Sequence, residues 1–252
     1  MRTLFSRLQS MFTAVAMFSV PAAARGAEGV DSARVLNEIV VTGTNGSVAE
    51  NLLPYSVSVI GEHRLETSGH TQVLSILSGM VPGLFVTQRS VFGFGVSSNG
   101  GSGHIKLRGV GGDRASGVLM MVDGQPQFAG IYSHHIADFY GKDFVERVEV
   151  LRGPGSVLYG SNAMAGAINV ITRNARTDGI RTTVSSQYGS YNTWLSSATN
   201  TVRRGRFSSL VSLSYNRTDG TEENFDFKQA EGYGKIAYDF SGHWKGMWIS
   251  PL

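Results

Sequence analysis

Cysteine is absent from the 252 residues, which excludes disulfides and thiolate metal sites together. That absence is permissible in an exported protein and decides nothing about compartment by itself. Charge is not concentrated either. The net charge is +3 with lysine and arginine dispersed, so the clustered basic face of a nucleic-acid-binding protein is missing. No apolar run reaches the roughly 20 residues that a spanning helix requires. Phosphate fingerprints are missing as well. Gly153-x-Gly155 follows a strand, but Gly160 is too distant to complete GxGxxG, and no Gly-Lys-Ser/Thr follows. No Ser/His/Asp order, paired-carboxylate site or metal-ligand spacing emerges, so the reading is not an enzyme. His134 and His135 are adjacent and would point to opposite faces of a strand, which argues against one ion held by both. No cofactor is expected.

What is present begins with an export signal over residues 1–26. Arg2 and Arg7 form a basic start, Met11–Val20 a short apolar core, and Pro21-Ala22-Ala23-Ala24 the small-residue cleavage site. A mature amphipathic helix is the rival reading. Residues 27–51 are mostly small and polar. They contain one β-prone run, Glu38-Ile39-Val40-Val41-Thr42, set apart by the Gly/Asn/Ser stretch that follows. Such a run can add itself as a strand to another protein's sheet edge, or be an ordinary edge strand of the next domain.

The stretch around which the chain is organised is Val145–Thr172, VERVEVLRGPGSVLYGSNAMAGAINVIT. Val145, Val148, Val150 and Leu151 make a strand, and Arg152-Gly153-Pro154-Gly155 breaks it because proline fixes φ and glycine frees it. A Ser156–Tyr159 turn and a second strand, Ala167–Thr172, follow. Upstream, Tyr55–Ile60 reads as a strand. Thr71 is placed to cap a helix carrying Val73, Leu74, Ile76 and Leu77, ended by Gly79 and Pro82. Leu84–Gln88, His104–Gly109 and Val118–Val122 read as strands, the last closed by an Asp123-Gly124 turn. From residue 176 alternation takes over: Ile180 to Tyr188, Phe207 to Tyr215, and Ala230 to Phe240, with a less regular stretch at 193–202. Segments of about ten residues with one apolar face, joined by turns, are the transmembrane-barrel pattern, although a soluble antiparallel sheet alternates too.

The Val145–Thr172 segment, together with HTQVLSILSGMVPGLFVTQ, IKLRG and VLMMVDG, resembles the plug of TonB-dependent outer-membrane receptors. The resemblance implies an α+β plug domain over 52–175, followed by the N-terminal antiparallel strands of an incomplete transmembrane β-barrel over 176–252. It makes residues 38–42 the TonB box, paired with the TonB-type energy-coupling protein. It turns the loops 89–103, 109–116 and 126–135 toward the ligand, with Phe92, Phe94, Asn99, Arg114, Gln127, Phe128, Tyr132 and His135 on offer. Glu149 and Arg152 are implied to face charged barrel residues. The implied activity is uptake of a large ligand such as an iron-siderophore, haem or cobalamin across the outer membrane, with lipid around the barrel and no nucleic acid as partner.

One departure stands out. Transporters of this kind close about 22 strands around the plug, whereas about four are expected here, and Lys245–Leu252 loses the alternation. A premature stop, a frame change or a cut fragment would explain this. The alternative role is a non-transporting periplasmic plug fragment that only binds the coupling protein.

Overall fold

In a computed structural model of the chain, the described residues are 39–40, 48–49, 56–88, 104–112, 117–127, 137–175, 177–241 and 244–251. All of them fall in one unit, Asn37–Leu252. Two short strands, β1 (Ile39–Val40) and β2 (Val48–Ala49), pair with each other antiparallel. Next come β3 (Val57–Gly61), helix α1 (Glu62–Thr67), helix α2 (Val73–Met80) and β4 (Leu84–Val86). Then follow β5 (Ile105–Leu107), β6 (Val110–Gly112), β7 (Val118–Val122) and β8 (Gln125–Pro126). The organising stretch supplies β9 (Val145–Arg152), the short helix α3 (Ser156–Tyr159) and β10 (Gly166–Thr172).

A mixed sheet in the order β3-β9-β10-β7-β8 carries the first domain, and β4-β5-β6 form a small second sheet beside it. Strand β10 runs parallel to β7 and antiparallel to β9. Every residue of β7 is buried, as a continuous apolar strand covered on both faces should be. On one face Met120, Val148, Val150, Ile168 and Val170 pack with Val73, Leu74, Ile76 and Leu77 of α2. On the other, Leu119, Met121, Leu151 and Ala167 meet Val57 and Ala163. Asp123 and Gly124 both have positive φ, 48° and 79°. This is the type I′ geometry that suits a two-residue hairpin and that Asp-Gly favours.

The helix start differs from expectation. Thr71 does not cap α2. Gln72 occupies the N-cap without a side-chain cap bond, and the Val73 N–H donates instead to the Tyr140 carbonyl at 2.8 Å. A tertiary partner has taken the orphan donor that a local side chain usually satisfies. The expected His104–Gly109 strand is a hairpin, with Arg108 and Gly109 at its turn, and α1 had no clear signal in the sequence.

A five-stranded antiparallel meander follows: β11 (Gly179–Gly189), β12 (Thr193–Arg204), β13 (Phe207–Thr218), β14 (Phe227–Ser241) and β15 (Trp244–Pro251). The fifth strand corrects the expectation of about four. Residues from Lys245 onward lack alternation, yet Ile249 pairs with Lys235 and Trp248 with Ile236. Backbone donors and acceptors along β14 provide the pairing, and that does not depend on side-chain period. The sheet does not close among the described residues.

Candidate functional site: the interface between plug and sheet

The meander is turned the opposite way from a soluble sheet. On β13, Leu210, Ser212, Ser214, Asn216 and Thr218 are buried, while Val211 and Leu213 between them are exposed. Ile180, Val184, Tyr188, Trp194, Ile236, Tyr238 and Phe240 are likewise exposed, Val184 at 73%. Over β12 to β14 the mostly polar face is covered by the first domain and the apolar face points outward, while β11 is exposed on both faces.

Strand β14 makes most of the described contact. Its inward residues recur every second position, the period of a strand, and each meets a different group of the first domain. Gln229 Nε2 donates to the Asp138 carbonyl at 2.6 Å, and its Oε1 accepts from Gln72 Nε2 at 3.0 Å. Glu231 Oε1 accepts from the Gly141 N–H at 3.0 Å. A Cβ at residue 141 would lie 2.5 Å from the Glu231 carboxylate, so a side chain there would have to displace it. Tyr233 stacks on Phe144 with ring centroids 4.3 Å apart, and with Leu210 it joins the main apolar cluster of the first domain. Lys235 Nζ donates to Asp123 Oδ2 at 2.8 Å and to Thr172 Oγ1 at 2.9 Å. Asp123 in turn accepts from the Thr172 N–H and hydroxyl, at 2.9 and 2.7 Å. Lys235 is 5% exposed and Asp123 is partly buried, so the pair lies largely out of water.

Strand β12 adds a second line of contact. Thr199 Oγ1 donates to the Asp143 carbonyl at 3.2 Å and lies 2.8 Å from Ser212 Oγ. Burial pushes the Asp143 carboxyl above its ordinary range, opposed by a hydrogen bond from Ser197 and by the Lys142 and Arg173 charges. A carboxyl raised on folding binds its proton more tightly in the folded state. Its contribution is therefore fully present below the unfolded value near 3.8 and is lost as pH rises through the raised one. Asp143→Asn keeps an acceptor without the charge. Its melting temperature is expected to gain on the parent as pH rises from about 4 to about 8. Thermal melts across that range check this, and a difference independent of pH would refute it.

The residues singled out from the sequence are placed as follows. Glu149 is fully buried on β9 with Arg147 Nε 2.9 Å from its Oε1. By alternation it shares a sheet face with Leu151, the face of the second apolar cluster. Arg152 borders an open groove with Ser58, Glu62, His63, Arg64 and Met80. Its Nε meets no hydrogen-bond partner among the described residues. Gln127 is at the end of the β7–β8 hairpin, where its Nε2 donates to the Gln125 carbonyl. Ile39 and Val40 lie in β1. Glu38, Val41, Thr42, Phe92, Phe94, Asn99, Arg114, Phe128, Tyr132, His134 and His135 lie outside the described residues. Sequence reasoning missed the β14 row. The signal was there in Glu231 and Lys235, opposite charges on one face of a single strand. Among the described residues no group of three His, Cys, Asp or Glu side chains converges as metal ligands.

A small α+β domain seated on the mostly polar face of an antiparallel sheet whose other face is apolar defines a class: a plug with outer-membrane-type barrel strands. The model of the TonB-dependent receptor plug domain matches residues 50–167, a little under half of the chain. The vitamin B12 transporter BtuB of Vibrio vulnificus (strain CMCP6) is 37% identical over 123 residues, 48% of this chain and 18% of its own length. Two solved structures share the fold. The pyoverdine outer membrane receptor FpvA of Pseudomonas aeruginosa PAO1 has a TM-score of 0.65 at 17% identity, over 84% of this chain and 29% of its own. The alcaligin outer membrane receptor FauA of Bordetella pertussis has a TM-score of 0.64 at 22% identity, over 81% and 32%. The chain thus spans only a minor part of each.

Proposed function

We propose that this chain is the plug and first barrel strands of an outer-membrane receptor that takes up a large ligand of the iron-siderophore, haem or cobalamin class. The observation that carries the reading is the outward face of the meander. Tyr188 and Trp194 meet edge to face at one rim, 6.4 Å between centroids. Phe207 pairs in register with Tyr238 at the other, where Tyr238 also meets Phe240. Along β13 the first rim falls at Arg217, opposite Trp194, and the second at Phe207. Ten residues of strand make roughly 33 Å, or about 25 Å once tilted by about 40°. That matches the apolar band between the aromatic girdles of outer-membrane barrels.

The band has a direct test. The full chain, with Trp244 and Trp248 replaced by Phe, is transferred to micelles of a brominated detergent, and Trp194 fluorescence is read. Strong quenching is expected; emission like that of a water-exposed indole would sink the reading.

In this proposal residues 1–26 export the chain and residues 38–42 are the coupling segment. That β1 is already extended supports the second role. Binding of the full chain to the periplasmic domain of a TonB-type coupling protein is expected to fall at least tenfold, about 1.4 kcal/mol, in Val40→Pro. Proline removes a backbone donor and constrains φ. Equal affinity by titration calorimetry would remove the assignment. A second reading is a periplasmic fragment that binds the coupling protein without transport. Membrane fractionation distinguishes the two.

A further inference from the structure

Four inward residues of β14 touch the plug, and three of them tolerate error. Amides such as Gln229 find partners at several heights, a carboxylate such as Glu231 accepts from any free N–H, and Tyr233 stacks on an aromatic face. Lys235 differs. Its ammonium is buried and meets the C-terminal ends of both strands of the plug's central parallel pair: Asp123 in the turn that ends β7, and Thr172 at the end of β10. Asp123 is also tied to β10 by its own N–H, which donates to the Val170 carbonyl at 2.9 Å. The receiving site is therefore held together by hydrogen bonds within the plug itself.

We propose that Lys235 is the register key between plug and sheet, with Asp123 and Thr172 as its lock. A slip of one residue is already excluded, because it would turn the apolar face of β14 onto the plug. Slips of two residues are the real competitors, since they preserve sidedness. Either slip brings Tyr233 or Ala237 opposite Asp123 and leaves the buried Lys235 ammonium and the partly buried Asp123 carboxylate unpaired. A buried ion pair adds little over a well-packed apolar pair, yet breaking it is severe, and that asymmetry selects one register. The assignment concerns docking only and holds whichever ligand the receptor carries.

The chain has no cysteine, so engineered pairs are read without background. Gly141→Cys/Glu231→Cys reports the native register, because the Glu231 carboxylate lies where a side chain at 141 would go. Gly141→Cys/Gln229→Cys and Gly141→Cys/Tyr233→Cys, each with Glu231→Ala to clear the space beside residue 141, report the two slipped registers. In the full chain in micelles, oxidation is expected to give at least tenfold more disulfide at 141–231 than at either slipped pair. In an Asp123→Asn/Lys235→Met background, which removes both charges, the chain is expected to fold, by its far-ultraviolet spectrum and protease resistance. The disulfide yield should then spread to a slipped pair, within about threefold of the native one. A neutral background that folds and remains exclusive for 141–231 overturns the proposal. So does a neutral background that fails to fold, because the pair would then be a stability element and not a key.

Discussion

Gly166→Ala is expected to unfold the plug-family domain. Gly166 opens β10, the strand flanked by β9 on one side and β7 on the other, with Arg152 and Val118 as its register partners. Its φ is 153°, a backbone that side chains rarely adopt. A Cβ there would run into the carbonyl oxygen of Leu151 and lie 2.7 Å from Leu107 Cδ2. The leucine tip can rotate away, but the carbonyl belongs to the neighbouring strand and cannot. Relief requires β9 and β10 to part where both are buried, and overpacking combined with strain at a special φ is among the few routes to losses above about 4 kcal/mol. For a domain of this size that corresponds to a melting point lower by about 15 °C or more. Gly79→Ala is the control. It lies in α2 with nothing within 4 Å of the added carbon, and should stabilise by about 0.5–1 kcal/mol. Thermal melts of both variants decide the matter, and a Gly166→Ala chain melting within a few degrees of its parent would contradict it.

Asp123→Asn is expected to weaken plug docking by about 3 kcal/mol. Asparagine is the conservative choice because residue 123 has φ 48°, which Asn tolerates and most side chains do not. The acceptor for Thr172 is kept and the charge is lost, leaving Lys235 Nζ buried with only neutral partners. An unpaired buried ammonium is the severe half of the ion-pair asymmetry. Adding Lys235→Met should recover most of the loss, since an apolar chain of similar length replaces the stranded charge. Urea titration of the two variants measures both steps. A single variant as stable as the parent would show that water reaches Lys235 and that the pair is solvated.

Much of the chain is legible from local pattern. Proline and the glycines after Arg152 end a strand within four residues, Asp123-Gly124 encodes its hairpin turn, and the continuous apolar run of β7 signals a strand covered on both sides. The Val145–Thr172 stretch places the plug, and alternation places β11, β13 and β14 to within a few residues. Such signals act through φ and ψ preferences and side-chain period, which operate over a few residues and are written in the sequence directly.

Other features depend on groups that are distant in sequence. The start of α2 is satisfied by the Tyr140 carbonyl and not by Thr71, so no nearby cap residue reveals it. Strand β15 forms because β14 offers a free edge. The Asp123–Lys235 pair joins residues 112 apart, and neither side chain announces its partner. Alternation divides β13 into a polar face and an apolar face, but both a soluble sheet and a membrane barrel alternate. Which face turns inward was decided only when the plug covered Ser212 and Asn216 and left Val211 and Leu213 outside. The physical reason is that local pattern sets the period of a strand, whereas burial is a property of what packs against it.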